Sequence, residues 1–379
     1  MLNQLQVVRA LTAATLCLMS FGVAATSWET AVALPMRVEH DTNPNLDSQD
    51  SKAVTRTILT PDYRLTGVSD NDQLQFSFGM HVERSSDLSV LPDREDPNLK
   101  LGWQREYERG EFGLLAKYEE SSSLITGLEE TGTQANKDST RKAHTLAGNW
   151  SIALTERNTL ETDSAYSVVT FTDGDESQTD YDDLSAGLTW RHSLSERLEP
   201  FARFAATRYE PKGQGTDANS AESSTSYNPA VGIKYEISER LQGTLRGGGN
   251  KVSNSSGGLN WQGGLDLRYS GERSDIYLDA GRSTVISNEN GFTEVKHLRT
   301  GFSYAISELT RSGFDASWQD NQGDQPNTMQ VYSAWISNEL SPFWTTRLFY
   351  SYKQRQEDGL KNANGNVIGL SLIYNHPDF

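Results

Sequence analysis

Cysteine is nearly missing from this chain: Cys17 is the only one, inside an apolar run close to the N-terminus. Disulfides, thiol nucleophiles and cysteine-ligated metals are therefore excluded from everything that follows it. The preceding Ala14-Thr15-Leu16 lacks the small residue that a lipidation site needs just before its cysteine. Long hydrophobic runs are missing too. Beyond residue 33 no stretch carries the 18 or more apolar residues of a helical membrane span. Positive charge is scarce: 34 Lys and Arg stand against 51 Asp and Glu, a net charge of −17. Without a basic face to neutralise phosphates, nucleic acid is not an expected partner. Apolar residues make up only 35% of the chain. They are spread evenly with no linker between them, which argues against the two soluble domains that the length alone would suggest.

What the first 33 residues do contain is a targeting pattern. Arg9 supplies a positive start, Leu11 to Val23 an apolar stretch too short to cross a bilayer, and Ala31-Val32-Ala33 a small-x-small cleavage pattern. Val23-Ala24-Ala25 is a second candidate for the cut. Residues 1–33 are read as a signal peptide and 34–379 as the mature protein. Removing Arg9 and Glu29 together leaves the net charge unchanged.

The mature chain alternates with a period of two. Tyr227, Val231, Ile233, Tyr235 and Ile237 oppose Asn228, Gly232, Lys234 and Glu236. Leu74, Phe76, Phe78, Met80 and Val82 oppose Gln75, Ser77, Gly79, His81 and Glu83, and the same holds along Leu259–Ser270 and His297–Ile306. This is a strand period. The runs last about 10–14 residues, longer than strands of globular sheets. Aromatics sit near their ends, as at Trp190, Tyr235, Tyr269, Trp344 and Tyr374, where a membrane barrel places its interfacial girdles.

Short connections nearly repeat. Leu154-Thr-Glu-Arg157, Leu194-Ser-Glu-Arg197, Ile237-Ser-Glu-Arg240 and Ile306-Ser-Glu-Leu309 share one pattern. Residues 337–340, 270–273 and 108–111 are looser versions, and Gly67–Asp70 falls at the expected place. Between these turns lie long polar stretches, including Ser85–Pro97, Ser121–Ser139, Asp173–Asp180 and Glu210–Ser223. Short turns alternating with long loops are the layout of an outer-membrane barrel. Eight turns imply sixteen strands; a first strand at 34–41 and a last at 366–375 complete 18, with 16 as the lower bound. The expected fold is all-β, a transmembrane antiparallel barrel in a bacterial outer membrane. Its surroundings would then be outer-membrane lipid and lipopolysaccharide.

Both ends of the mature chain carry distinctive residues. Ile368, Leu370, Leu372 and Tyr374 alternate outward and the chain stops at Phe379. This arrangement resembles the C-terminal signal read by the barrel-assembly machinery. Near the start, Asp41-Thr42-Asn43-Pro44-Asn45 follows the first strand. The stretch resembles the opening of outer-membrane barrels encoded with bacterial exopolysaccharide and exosortase systems. That resemblance implies a barrel linked to polysaccharide export.

Catalytic chemistry finds little footing. His81 and His297 face inward by period, with Ser77 and Ser303 as potential neighbours, but no nucleophile motif accompanies them. Asp173–Asp180 alternates oxygen ligands yet lacks the glycine and distal acid of a calcium-binding hand. No enzyme activity, cofactor or metal is expected. The inward faces instead carry Arg191, Arg203, Lys234, Arg246, Arg268, Arg299 and Arg347, each near a short turn. Such a basic lining favours anions, unless Asp266, Asp279, Asp315 and Glu236 on the same faces pair with it. Two functions follow: a polar pore for a polysaccharide or small polar solute, or a non-conducting surface scaffold for secreted polymer.

Overall fold

The structure is a computed structural model. It describes residues 27–377 except 132–137, 173–177, 213–221, 254–257, 288–290 and 324–325. Phe379 and most of the Asp173–Asp180 loop therefore lie outside the described residues.

Alternating apolar and polar residues drive the chain into long antiparallel strands. In order these are β1 (Ser27–Asp41), β2 (Val54–Leu59), β3 (Asp62–Val68), β4 (Asp72–Ser85), β5 (Arg94–Tyr107) and β6 (Gly110–Ser122). Helix α1 (Ser123–Glu130) interrupts the series. Strands β7 (Thr140–Thr155), β8 (Asn158–Thr172), β9 (Tyr181–His192), β10 (Leu198–Pro211), β11 (Ser224–Ser238), β12 (Leu241–Val252) and β13 (Asn260–Ser270) follow. The series ends with β14 (Ser274–Ser287), β15 (Gly291–Ala305), β16 (Thr310–Asn321), β17 (Asn327–Ser341), β18 (Trp344–Glu357) and β19 (Ala363–His376). These 19 segments form one sheet in which neighbours in sequence pair, except β2 and β3, which lie end to end between β1 and β4. Antiparallel pairing of β1 with β19, from Val32↔His376 to Asp41↔Val367, closes it.

β2 and β3 are two halves of one strand, since both pair with β1 and β4 in a continuous register. Pro61, which has no N–H to donate, marks the break. The barrel thus has 18 strands. No sheet edge is left open, which is what hydrocarbon demands of a spanning sheet.

Residues that pair across strands share a face. Val38, Phe76, Leu188, Val231, Ile368 and Leu370 point outward and are exposed, forming the surface that the bilayer covers. Trp190, Tyr235, Tyr269, Trp344 and Tyr374 all face outward beside the short turns, as expected of a girdle. At the opposite ends of the strands the outward residues become ion pairs, among them Lys142 with Glu120, Lys212 with Asp182 and Lys296 with Asp320. The fold and this surface define an outer-membrane β-barrel.

Seven of the eight expected turns lie where the sequence puts them. In five of them a Ser or Thr explains why, as where Thr155 Oγ1 accepts from the N–H of Arg157 and Asn158, Ser195 Oγ from Arg197 and Leu198, and Ser238 Oγ from Arg240 and Leu241. The side chain stands in for the backbone acceptor that a tight turn lacks. The exception is 337–340, which lies inside β17. The turn falls at Pro342-Phe343, where Ser341 Oγ accepts from the Phe343 N–H.

The first strand also differs from expectation. It starts at Ser27, not at 34, and residues 27–33 pair with Asp62–Val68. Of the two cleavage patterns, the one ending at Ala25 leaves this strand whole.

Candidate functional site

The long connection after β6 turns into the barrel instead of away from it. Ser122 caps helix α1, its Oγ accepting from the Ile125 N–H. Leu124 and Leu128, four residues apart on one face, are buried. Asp138 secures the root of the helix: it accepts from the Ser122 hydroxyl at 2.7 Å, from the Leu124 N–H at 3.3 Å and from Arg94 Nη1 at 3.0 Å. At the far end, Gln319 Nε2 on β16 donates to the Glu130 carbonyl at 3.0 Å. β6 and β16 stand on nearly opposite walls, so α1 crosses the lumen.

Beneath and beside the helix lies a cavity of about 750 Å³. Its wall is a charge network that no single stretch of sequence reveals. Arg56 bridges Glu39 and Glu83, the latter at 3.1 Å, and Glu83 also holds His81 Nε2 at 3.1 Å. Asp41, completely buried, accepts from Lys353 Nζ at 2.7 Å. Arg94 forks onto both oxygens of Asp96 at 2.8 and 3.0 Å. Arg56 has three acids around it, Arg94 two and Lys353 one, so the buried charges stay paired, as burial requires. Asp41, at the end of β1, and Asp96, within the stretch 85–97 expected from sequence to be a loop, are both inward strand residues.

The loop acids proper behave differently. Backbone N–H bonds from Gln49 and Asp50 hold the Asp47 carboxyl below the usual range. Glu130 moves the other way. The barrel wall around it desolvates its carboxyl and pushes the pKa up, although its surface stays wetted. Arg141 and Lys117 oppose that rise, whereas Glu119 and Glu129 add to it.

The first-strand motif folds inward. Asp41 Oδ1 accepts from the Asn43 N–H at 3.0 Å, and Asn43 Nδ2 donates to the Asp47 and Asn364 carbonyls. Asn45 Nδ2 reaches the Val90 carbonyl at 3.3 Å, and Pro44 lines the cavity.

The seven basic residues named from sequence all lie on the inward face and divide into two groups. Arg191 pairs with Glu161 and Glu199, Arg203 forks onto Asp163, and Arg268 lies 3.4 Å from Asp266. Lys234, Arg246, Arg299 and Arg347 form no ion pair among the described residues; Arg347 stacks on Trp335, its guanidinium 4.4 Å from the ring centre.

Of the histidines, His81 faces Glu83 and His297 faces Asp279 at 3.3 Å. Among the described residues neither hydrogen-bonds to a serine, and Ser303 is turned to Asp275.

At the C-terminal end Ile368 and Leu370 face lipid, and Tyr374 packs on Trp344 with ring centres 4.9 Å apart.

No family model matches the chain. No curated protein matches it in sequence. Solved structures match it in shape. It is similar to the outer-membrane protein OpdK of Pseudomonas aeruginosa, with 9% identity, TM-score 0.53, and 92% of this chain and 98% of that one covered. OccAB4 of Acinetobacter baumannii gives 11%, 0.52, and 93% and 99%. OpdK with vanillate gives 9%, 0.52, and 92% and 98%. Identities this low establish a shared fold. The link to exopolysaccharide systems gains nothing from these neighbours.

Proposed function

We propose that the chain forms a constricted, water-filled passage for hydrophilic anions. The observation that carries this reading is a group of inward cations with no ion pair among the described residues, including Lys234, Arg246, Arg299 and Arg347. A pore lined by uncompensated positive charge concentrates anions. A carboxylate-bearing solute, the chemistry of vanillate in the OpdK complex, suits these guanidinium groups, which bind carboxylates as planar forks. Polysaccharide as cargo rests on the Asp41–Asn45 resemblance alone. A hydroxyl–imidazole pair, Thr55 Oγ1 and His40 Nδ1 at 3.0 Å, lies on the outward face and not in the passage.

One observation favours the alternative, a non-conducting scaffold. Helix α1 crosses the lumen and is tied to both walls, which could reduce the outer half to a plug. Reconstitution in planar bilayers separates the two. The passage predicts steady conductance and, across a KCl gradient, a reversal potential on the anion-selective side. A silent barrel, or one selective for cations, would count against it.

A further inference from the structure

The chain has eight tryptophans, and seven of them face lipid or its borders. Trp335 does not. Its cross-strand partners Gly313 and Phe349 lie opposite in face to the lipid-exposed Phe314 and Tyr350, so Trp335 points into the lumen. A large apolar ring in a polar lumen needs a reason. Trp335 is held firmly there: its Nε1 donates to Asp315 Oδ2 at 2.9 Å, and Arg347 stacks on it.

Two further aromatics share this wall. Tyr277, 41% exposed, donates from its hydroxyl to the other oxygen of Asp315 at 3.2 Å. Phe349 lines the cavity below α1, with the guanidinium of Arg37 5.9 Å from its ring centre. Glycines on the adjoining strands let the rings lie against the backbone. A Cβ at Gly313 would come within 2.4 Å of Trp335, and one at Gly369 within 2.3 Å of Phe349. The result is an aromatic ledge running over β14 to β19, edged by Arg37, Arg347 and Asp315.

We infer that this ledge is a binding track for acidic saccharides. The C–H face of a sugar ring packs on the exposed ring of Tyr277 and along the edge of Trp335, while a uronate carboxylate meets the guanidinium of Arg347, which has no carboxylate partner among the described residues. Space filling alone would be met by aliphatic side chains, without an indole N–H that Asp315 must accept. The inference builds on the passage proposed above and specifies its cargo; the binding it claims does not depend on conduction.

The probe is a galacturonate trimer, with a neutral glucose trimer and citrate as comparisons. The first measurement is tryptophan fluorescence of the detergent-solubilised barrel, taken as the difference between wild type and Trp335→Phe. The uronate trimer should quench this difference signal, citrate should not, and the neutral trimer should do so more weakly. Trp335→Ala should weaken uronate binding about tenfold, the scale of one desolvated stacking and cation–π contact. The lipid-facing Trp318→Phe should leave it unchanged. In bilayers the trimer should interrupt the current of the wild type and spare that of Trp335→Ala. No quenching of the difference signal overturns the track, whether or not the barrel conducts. Equal quenching by citrate reduces the ledge to an anion site and likewise overturns the saccharide assignment. Absence of conductance with quenching intact would instead remove the passage and keep the track.

Discussion

Gln319 and Glu130 meet across the lumen, side-chain amide to backbone carbonyl at 3.0 Å, though 189 positions separate them in sequence. The contact makes α1 a crossbar, held at its root by Asp138 and at its tip by β16.

The crossbar should respond to acid. Glu130 has a raised pKa in the docked helix and an ordinary one, near 4.5, when released. The docked form therefore holds its proton more tightly. Docking is strongest below the ordinary value and weakens as pH rises through the docked-state pKa. Conductance should fall on acidification. Glu130→Gln should abolish that dependence, and Gln319→Ala should add brief openings at every pH. A wild-type conductance that is flat between pH 4 and 7 would refute this.

Arg94 is the keystone at the root. Replacing it with alanine strands Asp96 and Asp138, both nearly buried beside it. The expected cost is about 3–5 kcal/mol, typical of breaking a buried pair from one side. Arg94→Lys should recover part of it, since lysine restores charge but not the fork. Urea unfolding in detergent reads the stability, and hydrogen exchange across 123–130 reports whether the helix loosens first.

Charge reversal should separate the two kinds of inward cation. Arg299→Glu should shift the reversal potential toward cations, and the shift should shrink at high salt as the Debye length falls to about 3 Å at 1 M. Arg268 lies by Asp266, so Arg268→Glu should mainly cost stability. Combining both should add little selectivity beyond Arg299→Glu alone. Leu265→Arg, on the lipid face midway between Trp261 and Tyr269, is the control: roughly 2–4 kcal/mol lost at mid-bilayer, with selectivity untouched.

The mature N-terminus should lie near residue 26. A cut after Ala33 would delete the seven residues that pair with Asp62–Val68, baring that stretch of β3. Sequencing the N-terminus of the membrane-purified protein decides between the two sites.

The barrel was legible in the sequence because its cause is local. Period-two alternation and the turn residues, with a capping hydroxyl in five of the turns, act within a few residues, and seven turns fall where they put them. The misplaced eighth shows the limit. Ser337-Asn-Glu-Leu has the residue order of a turn, but the Ser337 hydroxyl donates across the sheet to the Arg311 carbonyl, while Pro342 supplies the bend. Helix α1 had a readable start, Ser122 ahead of Leu124, Ile125 and Leu128, hidden within a long polar stretch. The cavity network was not readable at all. Glu39, Arg56 and Glu83 are 17 and 27 residues apart, and only strand register brings them together. Trp335 escaped notice because face, not residue type, sets it apart.

The first-strand motif carries one more consequence, for the order of assembly. Asn43 donates to the Asn364 carbonyl, Asp41 takes Lys353, and Thr42 exchanges hydrogen bonds with Asn366. These contacts span 312 to 324 positions, whereas every hairpin between them joins near neighbours. Nearby pieces meet soonest and distant ones last. The motif is thus a clasp that can fasten only after both ends of the sheet have arrived. A polypeptide cut short before β19 would leave it unfastened, with two raw strand borders inviting aggregation. Its presence in the finished molecule amounts to a receipt that synthesis and insertion ran to the end.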